Sequence, residues 1–153
     1  MVAEHRSDTS GTATMPSPSE AQDRYARTEP VRGHRSRVAF RILAWLFVGC
    51  VLVQVLIAGL AIFDTPLRWS WHENFVHMFE YLPLILLVLA FTGRMPRRIR
   101  WVSFGAFAMI GMQYAFIGLA RDLNIPAIAA LHPVNAMLIF WVALFLARSA
   151  RPA

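Results

Sequence analysis

The sequence predicts an all-α protein: a four-helix up-down-up-down transmembrane bundle behind a disordered N-terminal tail. Three observations carry that prediction. Hydrophobic residues make up 57% of the 153 residues and mean hydropathy is +0.47, too apolar for an ordinary soluble domain of this size. The apolar residues fall in four runs, each long enough to cross roughly 30 Å of hydrocarbon as a helix. The segments between the runs are short and collect arginine on alternate sides.

The elements follow in order. Residues 1–37 are rich in Ser, Thr, Pro, Ala, Glu and Arg without apolar periodicity, and predict a disordered tail. The run after it is too long for the apolar core of a secretory signal and ends without a small-residue cleavage pattern. The transmembrane domain is expected over residues 38–148. Its first span, 42–63, is stopped by Asp64-Thr65-Pro66. Arg68, Trp69 and Trp71 form a loop with interfacial aromatics. The second span covers 71–91, with Pro83 as an internal kink. A tight loop carries Arg94, Arg97, Arg98 and Arg100 before the third span, 101–120. Asn124 caps and Pro126 opens the fourth span, 126–147, which Arg148 and Arg151 close.

The formal charge is +6 and every basic residue is Arg. These arginines lie between apolar runs, so topology explains them and nucleic-acid binding is excluded. The positive-inside rule puts both termini in the cytoplasm. The chain reads as a multi-pass protein of the cytoplasmic (plasma) membrane, with the lipid bilayer as its surroundings and a redox or other membrane protein as partner. The single Cys50 lies inside an apolar run and reads as a small buried side chain.

A short pattern recurs. Gln54 to Ala61 reads QVLIAGLA and Gln113 to Ala120 reads QYAFIGLA. Glutamine is costly in a membrane helix unless its amide is satisfied. Each copy is followed, one span later, by a histidine: His77 and His132. Taken from the outer ends of their spans, both histidines lie ~9 Å deep, Gln113 ~10 Å and Gln54 ~13 Å. Lipid-facing positions would penalise all four, so they are expected to face the bundle axis. Two helix pairs built alike make parallel repeats about an axis along the membrane normal.

Glu73, His77 and Glu80 share one face of the second helix, and Glu80 is expected to be protonated or paired with His77. His72 lies about 140° round the helix from His77 and reads as a wetted end residue. Pro133 should bend the fourth helix beside His132. Gly111, Ala115 and Gly118 share a face and predict a close helix contact.

In a square bundle the second and fourth helices are diagonal and ~14 Å apart. That gap is too wide for two imidazoles to touch, and it suits a metal centre such as haem iron with one His on each side. His77 and His132 are the candidate axial ligands of a b-type haem, with Gln54 and Gln113 beside them. Ala58, Gly59, Gly118 and Ala129 leave room for a macrocycle, and Arg68 and Arg121 are the nearest outer cations for its propionates.

This layout resembles one half of haem A synthase and other cytochrome-b-like membrane bundles, over about Phe40 to Ala147. In haem A synthase each half is a four-helix unit with haem-ligand histidines on its second and fourth helices. The resemblance implies the same role for His77 and His132 here. The chain carries one such unit, and its Asp64–Arg68 loop has no histidine where that family has an acidic-and-His motif. The run Leu131-His-Pro-Val-Asn-Ala-Met137 also looks like small four-span bacterial membrane proteins of a domain-of-unknown-function family. That likeness implies architecture and no chemistry.

Two other readings stand beside haem binding for electron transfer or haem handling. One is a cofactor-free accessory or interaction protein whose polar residues fix helix register. The other is proton or ion movement through Glu73, His77 and Glu80. The sequence holds no nucleophile–base set, phosphate loop or thiolate metal motif, so soluble-type enzyme chemistry is unsupported.

Overall fold

A computed structural model describes residues 17–19 and 33–149. The expected tail, 1–37, falls mostly outside the described residues. Within it, Ser17 and Ser19 hydroxyls lie 2.8 Å apart. Among the described residues, 33–149 hold five α-helices and two 3₁₀ turns: α1 (His34–Phe63), a turn at Pro66–Arg68, α2 (Trp69–Phe79), α3 (Leu82–Thr92), α4 (Arg97–Asp122), a turn at Pro126–Ala130, and α5 (Leu131–Ser149). They form four spans, His34–Phe63, Pro66–Thr92, Arg97–Asp122 and Pro126–Ser149, each long and apolar enough to cross a membrane. The chain is a four-helix transmembrane bundle.

The first helix begins earlier than its apolar run. Gly33, with φ 101°, precedes it, and Arg37 Nε donates to Gly93 O at 3.0 Å. The helix therefore extends into the arginine-rich segment expected to be disordered up to residue 37. A Cβ on Gly33 would meet the Gly93 backbone at 3.1–3.2 Å. Only glycine suits both that approach and that φ.

The second span breaks where proline dictates. Pro83 has no N–H to give the Phe79 carbonyl. α2 ends at Phe79, Glu80 and Tyr81 form a turn, and Pro83 sits in the first turn of α3. The kink expected at Pro83 is this break. The fourth span also changes pitch, from 3₁₀ at Pro126–Ala130 to α-helix at Leu131, with Pro133 in the first turn of α5. The loops close with left-handed residues, Arg94 at φ 50° and Asn124 at φ 54°. Beyond each, a 6→1 bond satisfies an orphan carbonyl: Met95 N to Ala90 O and Ile125 N to Ala120 O, both 2.9 Å.

α1 packs on α5, α2 and α3, while α4 packs on α3 and α5. The second and fourth spans are thus diagonal. Burial is uneven along the bundle. Phe40, Phe47, Leu86, Leu146, Pro83 and Ser103 are fully buried, mostly toward the end bearing Arg97. Arginines at that end lie over aromatic rings, Arg98 on Phe145 at 4.8 Å and Arg100 on Phe91 at 5.2 Å. Toward the opposite end, bearing Arg121, few side chains are buried and the spans part. The contact expected at Gly111, Ala115 and Gly118 is not formed. Gly111 and Ala115 are exposed, and a Cβ on Gly111 or Gly118 would meet nothing within 4 Å. In a bilayer such a face is covered by lipid at no penalty, because tails are as apolar as neighbouring helices.

Candidate functional site

The splayed half of the bundle holds the polar residues. Gln54, on α1, donates from Nε2 to the His72 carbonyl at 2.8 Å. That carbonyl lies in the first turn of α2, so the amide ties the first two spans together. On the other side of the bundle, His132 Nδ1 lies 3.3 Å from the Gln113 carbonyl. Asn135, one turn along α5, donates to Met109 O at 2.9 Å and to Gln113 Oε1 at 3.0 Å. Asn135 is 4% exposed, so both bonds form away from lipid. The two glutamines do face inward, each joining its span to the next.

The histidines pair differently from the sequence expectation. His132 faces His72, not His77. The two ring centroids are 6.2 Å apart with the planes 53° from parallel. His72 is half-buried, is braced by the edge of Trp69 at 5.5 Å, and has a buried Nδ1 with no hydrogen-bond partner. It is therefore a lining residue of the interior rather than a wetted end. His77 points along the seam between α2 and α4. Its Nδ1 lies 3.3 Å from Glu80 Oε1 and 3.4 Å from the Tyr114 hydroxyl. Tyr114 also donates a short hydrogen bond to Glu80 Oε2. The expected pairing of Glu80 with His77 is present, and Tyr114 completes it.

Two cavities meet at the His72–His132 pair. One, about 840 Å3, runs between the first and fourth spans and is lined by Val55, Gly59, Ala136 and Phe140. The other, about 710 Å3, lies toward the second and third spans and is lined by Glu73, His77, Tyr114, Gly118, Arg121 and Ala129. Ala58, Ile62, His72, Gln113, His132 and Pro133 line both. The small residues expected to leave room therefore do: Ala58 and Gly59 on one side, Gly118 and Ala129 on the other. Each volume falls within the usual range for small-molecule sites, about 300–1,000 Å3. Arg121 reaches the second cavity. Arg68 does not. It pairs with Asp64 at 2.5 Å and lies 4.7 Å from the Trp71 ring centroid.

The His72–His132 spacing has a chemical meaning. An ion bound about 2.0 Å from one nitrogen of each imidazole, with each centroid about 1.1 Å further out, separates the centroids by about 6 Å. The bond from His132 Nδ1 to a backbone carbonyl fixes the tautomer that leaves Nε2 unprotonated, the usual second contact of a metal-binding histidine. Among the described residues, no group of three or more His, Cys, Asp or Glu could hold a metal ion. A metal bound at this pair would take two imidazole ligands from the chain.

His72 was recoverable from the sequence by a signal other than distance from the glutamines' pattern alone. Pro66 precedes His72 and Pro126 precedes His132 by the same interval, Pro-x5-His. His72 follows Gln54 by 18 residues and His132 follows Gln113 by 19. His77 fits neither spacing. Tyr114 adjoins Gln113 and carries no comparable pattern.

Fold and site together define a four-span membrane protein with a histidine pair between diagonal helices at its looser end. Residues 54–120 match a family of unknown function (DUF6220). The matched stretch starts at Gln54 and ends with the second QxxxxGLA copy, so it takes in His72 and His77 and leaves His132 outside. It agrees with the likeness to small membrane proteins of unknown function. No curated protein matches the chain, and no solved structure does. The resemblance to a haem A synthase half gains nothing from these comparisons.

Proposed function

We propose that this membrane protein binds one b-type haem between its second and fourth spans, for electron transfer or haem handling, with His72 and His132 as axial ligands. The observation that carries the reading is the centroid separation of 6.2 Å across the diagonal, flanked by cavities on both sides. His72 takes the place of His77, the ligand expected from the sequence, because the ring that faces His132 is that of His72, while His77 lies against Tyr114. Bound haem would supply a one-electron couple inside the bilayer. The chain's own part is to hold the two imidazoles, with His132 oriented by the Gln113 carbonyl and Gln54 anchoring the His72 backbone. Arg121, which lines the second cavity, would pair with a propionate. Arg68 is held by Asp64. The positive-inside rule puts this end of the bundle at the outer face of the cytoplasmic membrane. The test is spectroscopic. His72→Ala and His132→Ala should each remove low-spin haem, and His77→Ala should leave it. Loss of haem in His77→Ala alone would overturn the ligand assignment.

A second reading has its own support. Gln54 and Asn135 each bond across a helix interface, which is what a cofactor-free accessory protein would use to fix register. Under it, the histidine substitutions change stability by only ~1 kcal/mol and no chromophore is present. Proton movement draws on the same seam as His77, where Glu80 and Tyr114 meet it and Glu73 lines the cavity. Under that reading Glu80→Gln stops proton uptake into vesicles.

A further inference from the structure

The arginine-rich end of the bundle carries a groove that the histidine pair does not touch. It lies between α3 and α4, about 410 Å3 in volume, and is lined by Leu87, Phe91, Arg97, Arg100, Trp101 and Phe104. Leu87 and Phe91 are one turn apart on α3. Arg97, Arg100, Trp101 and Phe104 follow the i, i+3, i+4, i+7 spacing of one face of α4. That face is cationic in its first turn and aromatic below it. Trp101 is 60% exposed and Phe104 49%, so this wall faces out of the bundle. At helical rise Arg100 lies ~5 Å in from Arg97 and Phe104 ~11 Å. The face therefore crosses a headgroup layer of about 5–7 Å and enters hydrocarbon.

Arg100 differs from its neighbours. Arg94, Arg97 and Arg98 are exposed, as arginines reaching for the interface are. Arg100 is half-buried, and its Nε is buried without a hydrogen-bond partner. Its guanidinium lies 5.2 Å from the Phe91 ring centroid. The ring meets the face of the cation and leaves its in-plane N–H donors unsatisfied. No carboxylate answers them. Among the described residues the acids are Asp64, Glu73, Glu80 and Asp122. Asp64, Glu73 and Asp122 lie toward the opposite end of the bundle and Glu80 at the break in the second span. The ion pairs formed are Arg68–Asp64 and His77–Glu80.

We propose that this groove holds one anionic phospholipid, with its phosphodiester on Arg100 and Arg97 and an acyl chain along Leu87, Phe91 and Phe104. A phosphodiester matches the planar guanidinium through paired N–H···O bonds, and it is the anion that a bilayer supplies at this depth. A basic pocket between spans is a known form of lipid headgroup site. Net charge selects the head. Phosphatidylethanolamine and phosphatidylcholine carry a cation beside the phosphate, which here would meet two arginines and no carboxylate. Phosphatidylglycerol carries none. Free phosphate lacks the chain that the apolar wall takes up. The chain's own acidic residues before Gly33 are the competing anions, and as occupants they would keep the lipid out.

This site needs neither haem nor the histidine pair. The experiment is native mass spectrometry of the full chain in detergent, titrated with dioleoyl-phosphatidylglycerol. One lipid per chain should bind saturably, more tightly than the dioleoyl forms of phosphatidylcholine and phosphatidylethanolamine, and inorganic phosphate should not displace it. Arg100→Gln should weaken binding about ten-fold or more, as the loss of a charge-assisted hydrogen bond does. Arg100→Lys keeps the charge without the planar fork and should not restore it. Arg98→Gln removes the same charge from a separate groove that Arg98 shares with Arg148, and should leave binding within about two-fold. Leu87→Trp keeps every arginine, fills the apolar wall and should release the lipid. No saturable binding by the full chain would give the groove to the chain's own acidic residues. Equal uptake of phosphatidylcholine, or equal loss in Arg98→Gln, would reduce the attraction to diffuse surface charge. Displacement by inorganic phosphate, full binding in Arg100→Lys or full binding in Leu87→Trp would remove the built site. Each of these results would overturn the proposal.

Discussion

Asn135 offers the sharpest energetic test of how the site is held. Its amide joins the third and fourth spans one turn below His132, donating to Met109 O and Gln113 Oε1. Asn135→Leu keeps the volume and removes both donors. The Met109 carbonyl still has its helical donor, so it loses little. Gln113 Oε1 loses its interhelical partner in an apolar setting. Interhelical hydrogen bonds in membrane bundles average about 0.6 kcal/mol with a maximum near 1.7, so the substitution should cost about 1–2 kcal/mol. Gln113→Leu should cost a similar amount. Because the two share one bond, the double mutant should be less destabilised than the sum by about 0.6 kcal/mol or more. Reversible unfolding in mixed detergent micelles measures all four corners of the cycle. Additive losses, or a neutral Asn135→Leu, would refute the view that this amide pair fixes the fourth span against the third.

Three other outcomes are expected. Gly33→Ala should lower stability by about 1–2 kcal/mol, because it combines a left-handed backbone with a Cβ against Gly93; thermal unfolding reads this, and an unchanged midpoint would contradict the contact. Gly111→Leu should leave unfolding within about 0.5 kcal/mol of wild type, since the face is open; a large loss would mean that another helix covers it. Reporter fusions after Arg68 and Arg121 should be external and those after Gly93 and Ala153 internal; an inverted pattern would exchange the leaflets assigned to the site.

The four spans were legible because each is a long apolar run bounded by Arg, Asp or Pro, and those boundaries reflect desolvation alone. The helix at His34–Phe63 outran its apolar run because its first turns are held by Gly33 and by Arg37 on Gly93, contacts between residues 56 apart that no local pattern records. The glutamines were legible as inward-facing, since an amide in lipid has few other options. The histidine pairing was misjudged through depth counting. Depth says nothing of direction: within α2, His72 and His77 lie about 140° apart round the axis, and only the fourth-span count crosses a change of pitch, the 3₁₀ turn at Pro126–Ala130. The interval from the two prolines carried the better information because it counts along matching local structure. The small-residue face at Gly111 failed for a different reason: composition marks a face that permits close packing, and only the partner helix decides whether packing occurs.

On the proposed function, His72 and His132 hold one haem between them. The most direct measurement is the absorption spectrum of the full chain purified from haem-replete cells, oxidised and dithionite-reduced, beside His72→Ala. A Soret band with split visible bands on reduction is predicted for wild type at about one haem per chain, as for a low-spin iron with two imidazole ligands. Loss of those bands in His72→Ala is predicted with them. A wild-type spectrum showing only aromatic absorbance, or a His72→Ala spectrum identical to wild type, would contradict the claim.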